Sequence, residues 1–159
     1  SMKLTKASLY HYVRSKEEVL YLIQMDALEE ILEAVYAIGD SDLSPPLKLK
    51  EIIKKYIELV TQKHIIGALR QQELILPEKM RKKIIAKRDR FDKECQKIIE
   101  DGIAMGEFKV SNWKMAYMAS IGSLNWIIKW YSPQGSMNRE QIAEEMTAFI
   151  LRGFGHSAS

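Results

Sequence analysis

The chain has 159 residues, of which 47% are hydrophobic and 28% charged, with a net charge of +3. That length holds one domain, or a domain with a fragment, and buries a sizeable core; the mild positive balance permits a nucleic-acid partner without arguing for one by itself. A lone cysteine, Cys95, excludes an internal disulfide framework and fits a reducing cytoplasm, no signal peptide opens the sequence, and no apolar run reaches membrane-spanning length.

In chain order, the first element is a short helix within residues 4–18, Leu-Thr-Lys-Ala-Ser-Leu-Tyr-His-Tyr-Val-Arg-Ser-Lys-Glu-Glu. Thr5 can cap its first turn, and Ser15 with Glu18 forms a capping box for the next helix. Two helices meeting across Val13-Arg14-Ser15 have the spacing of a helix-turn-helix. Lys6, Tyr10 and His11 then offer a cation and two hydrogen-bonding rings to a DNA groove and its phosphates. Read from the residues alone, Tyr10 and Tyr12 could equally be packing residues at an ordinary helix corner. The stretch resembles the recognition helix and following turn of the TetR family of transcriptional regulators. That resemblance implies Thr5 as N-cap, Ala7 as the small residue, Tyr10-His11-Tyr12 as the groove-facing run and Lys16 as a phosphate contact. Val13 stands where the family usually carries Phe. The two bracing helices that precede this segment in the family are absent from the sequence. Residues 1–15 are therefore expected to be the remnant of a DNA-binding headpiece, and residues 16–159 an effector-binding and dimerisation domain.

Everything after the headpiece reads as helix, without strand alternation or hairpin dipeptides. Leu20, Ile23, Ala27, Ile31, Ala34 and Ile38 mark a helix over 16–38, stopped by Gly39-Asp40-Ser41-Asp42. Ser44-Pro45-Pro46 starts the next, whose stripe of Ile53, Tyr56, Ile57, Val60 and His64 runs to about Ile66, with Gly67 as the breaker. A short helix over 68–76 ends before Pro77. A long helix over 78–104 carries Ile84, Phe91, Cys95, Ile98 and Ile99, and Gly102 and Gly106 bracket its end. Ser111 or Asn112 caps a helix over 112–131, and Asn138 caps the last one.

The helix over 112–131 holds only two charges, Lys114 and Lys129. One face shows Trp113, Tyr117, Ile121, Leu124 and Ile128; the other shows Met115, Met118, Gly122, Trp126 and Trp130. A helix apolar nearly all round needs cover on both sides, and a second subunit is the natural cover for one of them. Met118, Gly122, Trp126, Trp130, Met146, Phe149 and Ile150 are the candidate dimer contacts. The last two helices resemble those through which TetR-family proteins dimerise. The run Asn125-Trp126 with Trp130-Tyr131-Ser132-Pro133-Gln134-Gly135, and the Gly106-Glu107-Phe108 turn, are further similar to FadR-type members, which answer to acyl-CoA thioesters.

Eight Met and three Trp supply the soft apolar surface a ligand cavity needs, though the same residues could simply fill a core. The candidate effector contacts are His64, Arg88, Phe91, Tyr117, Ile121 and Asn125. His64 lies on an apolar stripe and reads as a core histidine or a ligand contact; Asn125 reads as a ligand or a dimer contact. The run Lys79, Arg81, Lys82, Lys83, Lys87, Arg88, Arg90 and Lys93 is usually a solvated face, interrupted as it is by Asp89, Asp92 and Glu94. Its sharper reading sets Arg88 against coenzyme A phosphates. No phosphate loop, metal-spaced Cys/His cluster or serine elbow appears, so neither an enzyme nor a metal or cofactor is expected. The resemblance thus implies an all-α, TetR-like, cytoplasmic homodimer: a repressor of operator DNA that a hydrophobic effector, foremost an acyl-CoA, releases. The alternatives are a multidrug-type regulator binding hydrophobic cations and a dimeric interaction module without an effector.

Overall fold

The computed structural model describes residues 15–70 and 76–156, and their regular structure is entirely helical. Six helices follow one another: α1 (Lys16–Gly39), α2 (Pro45–Val60), α3 (Lys63–Arg70), α4 (Glu78–Ala104), α5 (Trp113–Trp130) and α6 (Arg139–Gly153). Several starts have a local cause. The Glu18 N–H donates to Ser15 Oγ at 3.2 Å, Pro45 and Pro46 open α2, and the Met115 N–H donates to Asn112 Oδ1 at 3.1 Å. At α6 a full capping box forms, with Asn138 and Gln141 each accepting the other's backbone N–H at 2.9 Å. Gly106, at φ 74°, turns the chain out of α4 in the left-handed conformation open to glycine.

α1 and α4 lie against each other, α2 packs on both and on α6, and α5 bridges α3 and α6. The core they share includes Val35, Ile57, Ile99, Ile127 and Phe154, each almost wholly buried. Phe108 and Phe154 stack at 5.4 Å between ring centres, closing the end of the bundle where Lys109 N–H donates to the Phe154 carbonyl at 2.9 Å. Two ion pairs tie α1 to its neighbours, Lys55–Glu30 at 2.7 Å and Lys87–Glu29. Both acidic partners are solvent-facing, so each pair contributes little beyond register. Arg70 does more: its guanidinium donates to the carbonyls of Ile128 at 2.7 Å and Tyr131 at 2.8 Å, tying α3 to the C-terminal end of α5.

One stretch departs from the sequence reading. The expected single helix to Ile66 is broken at Thr61-Gln62, where Thr61 Oγ1 donates back to the Ile57 carbonyl at 2.6 Å. α3 then runs through Gly67 rather than stopping there, and residues 71–75 lie outside the described set. The restart resets the helical phase. Ile65, Ile66 and Ala68 turn inward, and His64 turns out to solvent, so it is neither a core histidine nor a cavity residue.

Candidate effector-binding site

A cavity of about 480 Å³ lies between the helices, within the range of small-molecule sites. α1 contributes Gln24, Ala27, Leu28 and Ile31, and α2 contributes Tyr56, Leu59 and Val60. α3 adds Ile65 and Leu69, so the floor is almost wholly apolar. Among the described residues, every lining residue that is solvent-exposed comes from α4 or α5, which sets the mouth between those two helices. The charged lining residues among them, Arg88, Asp92 and Lys129, all stand at that mouth.

The polar groups are few and ordered. The Tyr56 hydroxyl donates to Asn125 Oδ1 across α2 and α5. Burial pushes the Tyr56 phenol up to about 12, against a smaller opposing pull from Arg88, so it keeps its proton and stays a donor. Tyr117 donates to Asp92 Oδ1 at 2.6 Å, a side-chain strap across the mouth. Its phenol is also raised, first by burial and then by the neighbouring Cys95 and Asp92. Cys95 is buried and its thiol is pushed up to about 12, chiefly by burial. It behaves as a small hydrophobe rather than a nucleophile. Among the described residues no His/Cys/Asp/Glu group could hold a metal ion.

Of the residues expected to contact an effector, Arg88, Phe91, Tyr117, Ile121 and Asn125 all line the cavity, and His64 does not. Thr5, Lys6, Ala7, Tyr10 and His11 lie outside the described residues, while Lys16 is the exposed first residue of α1. On α5, Met118, Gly122, Trp126 and Trp130 are exposed, as is Phe149 on α6. Ile150 corrects the expected interface: it is 3% exposed and belongs to the protomer's own core, with Met146 packed against that core. Met118, Gly122 and Trp126 also reach the cavity, so the mouth and the exposed face of α5 adjoin. Sequence reasoning missed Gln24, Asp92 and Lys129. Gln24 stands four residues after Leu20 and seven before Ile31, and an amide on that apolar stripe was the signal available.

A family model described as tetracyclin repressor-like, C-terminal domain, matches residues 42–154. The chain belongs to the TetR family, as a transcriptional repressor with a ligand-binding C-terminal domain. Among its relatives, the HTH-type transcriptional repressor KstR2 of Mycolicibacterium smegmatis is 26% identical over 168 residues, covering 99% of this chain and 78% of that protein. The TetR family regulator PfmR from Thermus thermophilus superposes with a TM-score of 0.80 at 31% identity, over 94% of this chain and 82% of that one. AibR in complex with isovaleryl coenzyme A and operator DNA gives a TM-score of 0.71 at 25% identity, over 92% and 80% of the two chains. These relatives are transcriptional regulators, not enzymes. Among the described residues, no helix is long and apolar enough to cross a membrane.

Proposed function

We propose that this chain is the effector-binding part of a cytoplasmic, homodimeric repressor that leaves its operator when an acyl-CoA thioester enters the α1–α5 cavity. The carrying observation is the separation of charge in the lining: an apolar floor, and Arg88 and Lys129 at the mouth. An acyl chain buried on that floor leaves the phosphates of coenzyme A outside, within reach of a guanidinium that binds them bidentately. A hydrophobic cation would call for a buried carboxylate, whereas Asp92, the one acidic lining residue among the described residues, is exposed and already engaged by Tyr117. A cavity of this size also weighs against a pocketless interaction module. The AibR complex, a related fold with isovaleryl coenzyme A bound, supports the ligand class; it holds operator DNA as well, so it does not support the release step.

In this reading DNA is held by Thr5, Lys6, Ala7, Tyr10, His11 and Lys16. The signal travels along α1, which lines the cavity, begins at the Ser15 corner and has Lys16 as its first residue. Movement of α1 changes the spacing of the two recognition helices, and half-sites one DNA turn apart tolerate little change. The effector must therefore bind the DNA-incompetent state more tightly. Arg88→Glu tests the ligand assignment: it should weaken acyl-CoA binding about 10-fold or more while leaving the matching free fatty acid within about 2-fold. Equal loss for both ligands would remove the phosphate contact from the account.

A further inference from the structure

We infer that the cavity reads a carbonyl oxygen on the bound body of its effector, through the carboxamide of Gln24. Four polar side chains are buried among the described residues: Gln24, Thr61, Ser120 and Thr147. Thr61 and Ser120 donate to carbonyls of their own helices at 2.6 and 2.7 Å. Thr147 has no partner for its hydroxyl, but it is sealed in protein away from the cavity. Gln24 is different. It is 7% exposed and lines the cavity, no hydrogen bond among the described residues engages its amide, and that amide is not sealed in protein. A ligand that fills the cavity displaces water from this amide, and must then offer it a hydrogen bond or leave it unsatisfied at a cost. Asn125 differs from Gln24: it is exposed and stands at the mouth, where its Oδ1 is taken by the Tyr56 hydroxyl. The neutral NH2 of Gln24 matches an uncharged acceptor. A carboxylate at this buried position would sit without a cation beside it, because the lining cations among the described residues, Arg88 and Lys129, stand at the mouth.

This deepens the acyl-CoA reading and rests on it for the ligand class. The carbonyl is either that of the thioester or a ketone on the acyl body. Calorimetric titration of the full chain with octanoyl-CoA, S-octyl-CoA and 7-oxooctanoyl-CoA separates the two, in the wild type and in Gln24→Met. A thioester-reading cavity binds octanoyl-CoA about 10-fold or more over S-octyl-CoA; a ketone-reading one prefers 7-oxooctanoyl-CoA over octanoyl-CoA by a similar factor. In either case Gln24→Met abolishes the preference. Ligand-free Gln24→Met should melt at or above the wild-type temperature, because it removes an amide that has no protein partner. Equal affinities for the three thioester and thioether ligands, a preference that survives Gln24→Met, or a large fall in the variant's melting temperature overturns the inference and leaves the acyl-CoA reading standing. If no coenzyme A derivative binds, that reading fails, and thermal shifts with 2-octanone against octane decide the inference alone. Selective stabilisation by the ketone, lost in Gln24→Met, upholds it, and equal or absent shifts overturn it.

Discussion

At the residue scale, burial of titratable groups around the cavity sets an alkaline limit on the fold. The Tyr56 phenol is held near 12 rather than 10.0, and the Cys95 thiol near 12 rather than 9.0, both mainly by burial. Above pH 9 the unfolded chain releases protons that the folded chain keeps, so rising pH favours unfolding through the interval from 9 to 12. Stability should be level from about pH 7 to 9 and then fall, as urea midpoints across that range would record. Tyr56→Phe should flatten the fall above about pH 10, whatever constant offset comes from losing the bond to Asn125. An unchanged slope would mean that Tyr56 is not shielded as described. Single residues were also the least legible part of the sequence. Phe149 and Ile150 are neighbours of similar apolarity, yet one is exposed and the other buried. A step of about 100° on a helix decides that, and only the neighbouring helices fix its direction.

At the element scale, the helices with strong caps and long stripes were legible. The α4 stripe of Ile84, Phe91, Cys95, Ile98 and Ile99 is buried throughout, and Asn112 and Asn138 cap where their side chains allow. The break between α2 and α3 was hidden because Val60 and His64 keep helical spacing across it. Its cause is a threonine bonding back on its own helix, which periodicity does not register. The end of α4 depends on close approach: a Cβ on Gly102 would fall on the Phe108 ring and near Pro45. Gly102→Ala, favourable for helix propensity, should therefore destabilise by about 1–3 kcal/mol through overpacking. A melting temperature equal to or above the wild type would show that Phe108 yields freely.

At the scale of the whole molecule, one side of α5 and the adjoining part of α6 remain uncovered by the other described helices. Met115, Met118 and Trp126 are each more than 60% exposed, and Phe149 on α6 is 58% exposed. An apolar face of this kind marks an interaction site, and a second copy packing α5 and α6 against their counterparts would cover it. Sedimentation should give a dimer. Met115→Glu with Phe149→Glu, neither of them a cavity residue, should give a folded monomer. A wild-type monomer at micromolar concentration would remove the dimer from the account. The headpiece remnant expected over residues 1–15 bears on DNA release, but the cavity can be tested without it. The most direct test of the central claim is a thermal-shift series on this chain with octanoyl-CoA, octanoate, coenzyme A and a hydrophobic cation such as tetraphenylphosphonium. At about 100 times its dissociation constant a ligand adds about 2.7 kcal/mol to stability, or roughly 5–10 °C for a chain of this size. Such a rise is expected with octanoyl-CoA, and much smaller ones with octanoate or coenzyme A alone. Stabilisation by the cation, with none from the thioester, would contradict the central claim.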